Sequence, residues 1–329
     1  MKATAIANAN IALVKYWGKR NKELILPQNG NISMTCDGMT TKTTVEFSNK
    51  YKEHTVIIND EEFKKDEKDI HGHLDRICKL ADIKQHARVV SESNFPVAAG
   101  LASSASGFAA LTVAAAAAVG LKLSPRELSI LTRQGSGSAC RSIFGGFVEW
   151  YRGERADGLD SYAESIVDKN YWPDFRMITT IVEVKKKPVT SRAGMAQTVE
   201  TCPYYKGWLK TVDDDLKLVK EGIKERNFEK VAQTAEFNCL KMHATMITTK
   251  PPIIYWIPAT IEIIHAIHRM REGGIPVYFT IDAGPNVKVL CLEKHEKEVN
   301  KRLQELEGVI KTIICKPGEE AKLTNHHLF

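Results

Sequence analysis

The sequence predicts an α+β protein built in two parts, and three observations point there. Residues 3–14 and 41–59 alternate polar and apolar side chains with the period of a strand. Residues 205–225, 227–247 and 258–272 carry long helical patterns. The character of the chain shifts near residue 185, and 329 residues suit two domains or one large two-part unit. The expected division is 1–184 and 185–329.

In order along the chain, TKTTVEF and HTVIIND read as strands around Asn/Lys turns. The charge run 61–69 reads as a solvated turn or helix start. Residues 70–82 form an amphipathic helix, and 88–93 a short strand. Residues 103–119 form a helix of small residues. Another helix, 125–134, is announced by Ser124-Pro125. GGFVEWYRG reads as a strand after a tight glycine pair, and 176–184 as a buried strand. In the second half, 277–282 and 287–293 pair around AGPN, followed by a helix at 294–306 and a last strand at 308–315. No internal repeat or low-complexity linker is visible.

Composition narrows the function. The 46 basic residues are mixed with 40 acidic ones for a net charge of +6. No Lys/Arg block suits nucleic acid, and a basic pocket for a small anion fits the balance. No run of about 18 apolar residues is present, so no membrane span is expected. The N-terminus has no signal-like apolar region, and the expected location is cytoplasmic. The seven cysteines are scattered without a CxxC, which implies reduced, mostly buried thiols. Cys202 is expected to be the most exposed and the one available for an intersubunit disulfide.

The segment NFPVAAGLASSASGFAAL, 94–111, carries the strongest chemical signal. Small residues at a strand-to-helix junction let the backbone approach an anion, and the first helical turn offers free amides and a positive dipole end. Ser103, Ser104 and Ser106 add hydroxyls, as donors or a magnesium ligand. The segment is neither GxxxxGK[ST] nor GxGxxG, and tight helix packing explains it equally well when it is taken alone. Other clusters weigh toward a site. GSGSACRS ends in Arg141, suited to bidentate recognition of a carboxylate or phosphate. TSRAGM offers Ser191 and Arg192, and KYWGKR sets basic residues around a Trp and a Gly. TIDAGPN puts Asp282 at a strand end. Each has a plain reading as solvated charge or turn chemistry. His71/His73 and His265/His268 have zinc-like spacing but no further ligands nearby in sequence. The apolar stripe in 258–272 reads as core.

Taken together, NIALVKYWGKR, LPQNGNISMT, NFPVAAGLASSASGFAAL, GSGSACRSIFGGFVEW, SRAGM, NCLKMHA and FTIDAGPN resemble the diphosphomevalonate decarboxylase family of the GHMP kinase superfamily. The resemblance spans nearly the whole chain. It implies a ribosomal-protein-S5-like N-terminal half, a ferredoxin-like C-terminal half, and a cleft between them holding ATP, Mg2+ and a phosphorylated mevalonate, usually in a homodimer. The implied reaction converts mevalonate 5-diphosphate to isopentenyl diphosphate, with phosphorylation of the 3-hydroxyl followed by loss of phosphate and carbon dioxide. Asp282, Lys15 and Arg141 match catalytic positions. Tyr16, Lys19, Ser136, Ser138, Ser191, Arg192, Met195 and Asn10 match substrate-pocket positions. Pro96, Ala99, Gly100, Leu101, Ala102, Ser103, Ser104 and Ser106 match the ATP loop, with Ser104 as the magnesium ligand. His243 matches a position expected to be structural.

The chain departs from the family where it has Asn8-Ala9-Asn10 for the usual PVN, and Asn29-Gly30-Asn31 for the usual Asn-Ser-Ser. The second departure is expected on the nucleotide side of the cleft. Relatives that act on mevalonate 5-phosphate, or without ATP on mevalonate 3,5-bisphosphate, are the alternatives. The complete GLASSASG loop favours ATP use, and Ser191-Arg192 favours the diphosphate. A catalytically inactive phosphate-binding homologue is disfavoured by the intact Lys15, Arg141 and Asp282.

Overall fold

A computed structural model of the chain describes residues 1–63, 70–96, 103–185 and 187–329. The first sheet grows from alternating segments of the N-terminal half. Lys2–Val14 pairs antiparallel with Asn31–Ser48, an 18-residue strand that also pairs with His86–Ser93. Thr55–Ile58 then adds parallel to His86–Ser93. The start of the long strand turns aside to pair with Phe147–Trp150, which pairs in turn with Ala163–Val167. The C-terminal strand Lys322–Thr324 closes the other edge against Lys2–Val14.

The helix Ser103–Ala118 lies across this sheet. Its alanines present no bulk, so the helix sits close to the strands and buries Ala109, Ala110, Ala114 and Ala115 completely. Pro125–Gly135 starts as expected. Ser124 and Glu127 form a reciprocal capping box, with Pro125 in the first turn.

The second sheet is antiparallel, in the order Tyr278–Ile281, Val287–Leu292, Phe175–Ile181, Lys311–Cys315. The strand Phe175–Ile181 therefore belongs to this sheet although it precedes the shift in composition near residue 185. The helices Tyr205–Glu225 and Phe228–Ile247 form a hairpin. Arg226 turns it in the left-handed conformation, and the side chain of Asn227 caps the second helix. This hairpin packs between the sheets. One core draws Leu13 and Met34 from the first sheet, Val212 and Met242 from the hairpin, and Phe175 and Met177 from the second sheet. The two sheets are thereby welded along one seam, and the ends of Lys2–Val14 and Tyr278–Ile281 meet there.

Two expectations are corrected. The strand expected over 41–59 is two strands, and the longer one begins ten residues earlier. Cys202 is buried, at 9% exposure, with its sulfur 3.2 Å from Thr248 Oγ1, so it is not available to a partner chain. The other six cysteines are buried and unpaired as well.

Candidate active site

The seam brings opposite charges together. Lys15 follows directly on the strand Lys2–Val14, and Asp282 follows Tyr278–Ile281. Lys15 Nζ lies 2.6 Å from Asp282 Oδ1 and donates to Ala12 O at 2.8 Å. The Lys15 backbone is held from below: its N–H donates to Asn238 Oδ1 at 2.8 Å, and Asn238 donates to Asp215, which is paired with Lys241. Asn29 Nδ2 donates to the Lys15 carbonyl at 2.8 Å. Lys15 is thus clamped on three sides.

Asp282 faces more positive charge than Lys15 alone supplies. Lys288, in the strand Val287–Leu292, places Nζ 3.7 Å from Asp282 Oδ2 and is fully buried. Lys187 donates to the carbonyl of Ala283 at 2.6 Å and to Ser191 Oγ at 2.7 Å. Burial works to raise the Asp282 carboxyl, but Lys15, Lys288 and Arg141 outweigh it and hold the group at about 2. Burial, opposed by Asp282 and reinforced by Lys288, brings the Lys187 ammonium down to about 8.

Arg141 sits on the other wall, in the 3-10 turn Gly137–Ile143, and is 2% exposed. Its Nε donates to Asn10 Oδ1 at 3.1 Å and Ser33 Oγ at 2.9 Å, and its Nη2 to Asn10 Oδ1 at 2.8 Å. Nη1 donates to Asn31 Oδ1. Asn10 in turn donates to Ser138 O and Ser142 Oγ. The guanidinium is therefore aimed by a polar cradle from both strands and the turn.

Asn31 corrects the sequence expectation. It stands at the arginine, not on the nucleotide side. Thr41, which contacts the helix Ser103–Ala118 through Ser106, lies further along the same strand: its partner Ala7 and the Ile32 partner Val14 are seven residues apart on the neighbouring strand, roughly 23 Å. The sequence signal was present, since Asn31 and Ser33 alternate onto one face of a strand, but that strand was not read before residue 41.

Around this centre, Tyr16 packs edge-on to Trp150 with ring centroids 4.8 Å apart, and its buried hydroxyl has no hydrogen-bond partner among the described residues. Lys19 is half-buried, and burial, Arg192 and Lys22 bring its ammonium down to about 8. Arg192 itself is exposed at the start of the helix Ser191–Thr201, with Met195 half-buried one turn on. That helix is docked by Trp17, whose Nε1 donates to Thr198 Oγ1 at 2.9 Å. Gly18 has φ +113°, and a side chain there would collide with Tyr205 Oη, which donates to the Trp17 carbonyl at 2.7 Å. The glycine in KYWGKR thus lets the basic loop fold back on itself. Ser136 precedes the turn that carries Arg141, and Ser138 lies within it.

A second cavity lies where the helix Ser103–Ala118 begins. Val56, Val89, Phe108 and Leu111 make an apolar slot, and Ser93 and Ser104 stand at its rim. Ser104 is exposed at the helix N-terminus, whereas the Ser106 hydroxyl is spent inside, on Thr41 Oγ1 at 2.7 Å. Pro96 is half-buried, and Ala99, Gly100, Leu101 and Ala102 lie outside the described residues. An apolar slot beside a helix N-terminus, rimmed with hydroxyls, fits a purine nucleotide and its phosphates.

The histidines hold no cluster of this kind. His73 bonds Thr112 Oγ1 at 2.8 Å, and His243 is buried against the Ile281 carbonyl at 3.2 Å. Among the described residues, no group of three His, Cys, Asp or Glu side chains is placed to hold a metal ion.

A first sheet carrying a buried small-residue helix, joined at a lysine–aspartate seam to a four-stranded antiparallel sheet, defines the GHMP kinase fold. Family models agree on both parts. The diphosphomevalonate decarboxylase-like N-terminal domain matches residues 7–163, and the mevalonate 5-diphosphate decarboxylase C-terminal domain matches residues 177–323. Diphosphomevalonate decarboxylases from Bos taurus and Homo sapiens are each 38% identical over 309 residues, covering 88% of this chain and 76% of the relative. A solved structure of MDDEF in complex with MVAPP, AMPPCP and magnesium is 41% identical, with a TM-score of 0.92 over 98% of this chain and 99% of that one. The mevalonate diphosphate decarboxylase of Staphylococcus aureus is 36% identical, with a TM-score of 0.92 over 98% of both chains. The chain belongs to the diphosphomevalonate decarboxylase family.

Proposed function

We propose that this protein catalyses the ATP-dependent decarboxylation of mevalonate 5-diphosphate to isopentenyl diphosphate, ADP, phosphate and carbon dioxide. The observation that carries the reading is the seam, where Lys15, Lys187, Lys288 and Arg141 surround the single carboxylate of Asp282. That excess of positive charge suits a site for polyanions and for phosphoryl transfer, which needs positioning and charge neutralisation more than covalent chemistry.

Bound ATP and Mg2+ supply the phosphoryl group and part of its charge neutralisation. The slot beneath Ser103 and Ser104 would hold the nucleotide, and the exposed Ser104 hydroxyl would be a ligand for its magnesium. Asp282 orients the tertiary 3-hydroxyl and accepts its proton. A carboxylate held at about 2 is fully ionised at neutral pH and a weak base toward a resting alcohol. The proton therefore passes late, once the hydroxyl oxygen is bonding to phosphorus and has become acidic. Lys15 and Lys187 offset the charge gathered on the transferring group. The phosphorylated oxygen then leaves with its bonding pair, and carbon dioxide departs from the neighbouring carbon as its bond to that carbon becomes the new double bond. Arg141 holds the departing carboxylate in line, its fork kept in place by Asn10, Asn31 and Ser33. Lys19 and Arg192, with Tyr16, Ser136, Ser138, Ser191 and Met195, form the pocket for the 5-diphosphate and the substrate body. The Arg192 and Lys22 charges beside Lys19 favour a ligand end with more than one negative charge.

The family resemblance extends the reading to a homodimer working in the cytoplasm, with the chain divided near residue 184 except that the strand Phe175–Ile181 joins the second sheet and Lys322–Thr324 the first. Among the described residues no helix is long and apolar enough to cross a membrane. Light scattering tests the dimer, which predicts twice the chain mass. The activity is tested by following isopentenyl diphosphate and ADP from mevalonate 5-diphosphate with ATP and Mg2+. No product with substrate and nucleotide saturating overturns the assignment.

A further inference from the structure

We propose that Lys288 is a positioning residue for the reaction: its ammonium holds the turn bearing Asp282 and leaves Oδ2 as the oxygen that meets the substrate hydroxyl. The inference rests on the reading of Asp282 as the group that orients that hydroxyl.

Lys288 occupies the middle of a sheet, paired across from Thr179 on one side and Thr280 on the other. None of its surface is exposed. A lysine buried there is costly unless its charge is matched. The match is the turn that follows Tyr278–Ile281. Lys288 Nζ donates to the Asn286 carbonyl at 3.0 Å and stands 3.7 Å from Asp282 Oδ2. One ammonium thus grips both ends of the 282–286 turn. Asn286 is itself fixed to the second sheet, since its Oδ1 accepts from Val182 N at 2.8 Å.

The two carboxylate oxygens differ as a result. Oδ1 is taken by Lys15 at hydrogen-bond distance, 2.6 Å. Oδ2 feels Lys288 as an ion pair at 3.7 Å, beyond hydrogen-bond reach, so its lone pairs stay open to a donor from the cleft. Among the described residues, the charged and titratable groups facing the pair are Lys15, Lys187 and Arg141, with Cys36 from the long strand and Cys239 and His243 from the helix Phe228–Ile247. Burial keeps His243 down at about 3 and pushes the Cys239 thiol up to about 11. Neither carries charge near neutrality, so Asp282 is the anion that Lys288 faces.

The test is steady-state kinetics of Lys288→Met and Lys288→Arg at pH 7, with mevalonate 5-diphosphate, ATP and Mg2+. For Lys288→Met, kcat falls about 10- to 100-fold while both KM values stay within about threefold. Lys288→Arg, which keeps the charge, returns kcat toward that of the native enzyme. A lowered melting temperature with native kcat in Lys288→Met makes Lys288 a structural lysine only and overturns the proposal. If Lys288→Met does not fold, the paired variant Asp282→Asn/Lys288→Met is compared with Asp282→Asn. Equal rates support the proposal, and a further tenfold loss overturns it. A native rate in Asp282→Asn alone removes the underlying reading of Asp282, which separates the two failures.

Discussion

Asp282→Asn keeps the shape of the side chain and removes its charge, so its effect can be worked from the geometry. In the native protein burial pushes the carboxyl upward, while Lys15, Lys288 and Arg141 pull it from 3.8 to about 2. At about 1.4 kcal/mol per pH unit, that depression is on the order of 2 kcal/mol of folding stability. A carboxyl with a depressed folded value stabilises above its unfolded value, so the contribution is present above about pH 4 and is lost as pH falls toward 2. The substitution also leaves Lys15 and Lys288, at 1% and 0% exposure, without their anion. That raises the cost toward the ~3–5 kcal/mol of a broken buried ion pair. Urea unfolding of native and variant protein at a series of pH values measures the gap. It should be about 2–5 kcal/mol at pH 7 and narrow steadily between pH 4 and pH 2. Turnover should fall by ~10²–10⁴. A gap that stays constant through that pH window refutes the electrostatic account of the seam, and native turnover refutes the role of Asp282.

Other outcomes follow from the same structure. Lys187 and Lys19 both lose their protons near pH 8, so kcat should fall as pH rises through that value, and Lys187→Met should show a low rate and a shallower alkaline limb. Gly18→Ala forces a side chain into a φ of +113° and onto Tyr205 Oη, and thermal melts should show a loss of at least about 2 kcal/mol. Ser124→Ala removes the capping box from Pro125–Gly135, which should cost about 1 kcal/mol in denaturant titration and leave turnover unchanged.

The parts of the fold that were legible in the sequence are those with a strong local period. The helices Tyr205–Glu225, Phe228–Ile247 and Pro258–Glu272 sit where their apolar spacing puts them, because one face of each is buried along its whole length. Ser191–Thr201 was not legible. It buries only Gly194 and Thr198, so no apolar stripe marks it. The long strand was hidden at its start, where Asn31, Ser33 and Thr35 put polar groups on a face that turns out to be the cleft. In the site, Lys15, Arg141 and Asp282 stood out as charges beside glycines and turns. Lys288 did not, since a lysine in VKVLCLE reads as a solvent-facing strand position until the partner strand supplies Asp282 beneath it. Lys187 was lost in a run of lysines, and only the fold shows that its ammonium returns to the Ala283 carbonyl. Pairings that depend on two distant segments meeting at a seam leave no trace in either segment alone.

The most direct measurement is product analysis with mevalonate 5-diphosphate, mevalonate 5-phosphate and mevalonate 3,5-bisphosphate, each with and without ATP and Mg2+. The account predicts isopentenyl diphosphate, ADP and carbon dioxide in equal amounts from the 5-diphosphate, and only when ATP and Mg2+ are present. Turnover of the bisphosphate without ATP, together with none of the 5-diphosphate, would contradict it and assign the lysine-rich seam to decarboxylation alone.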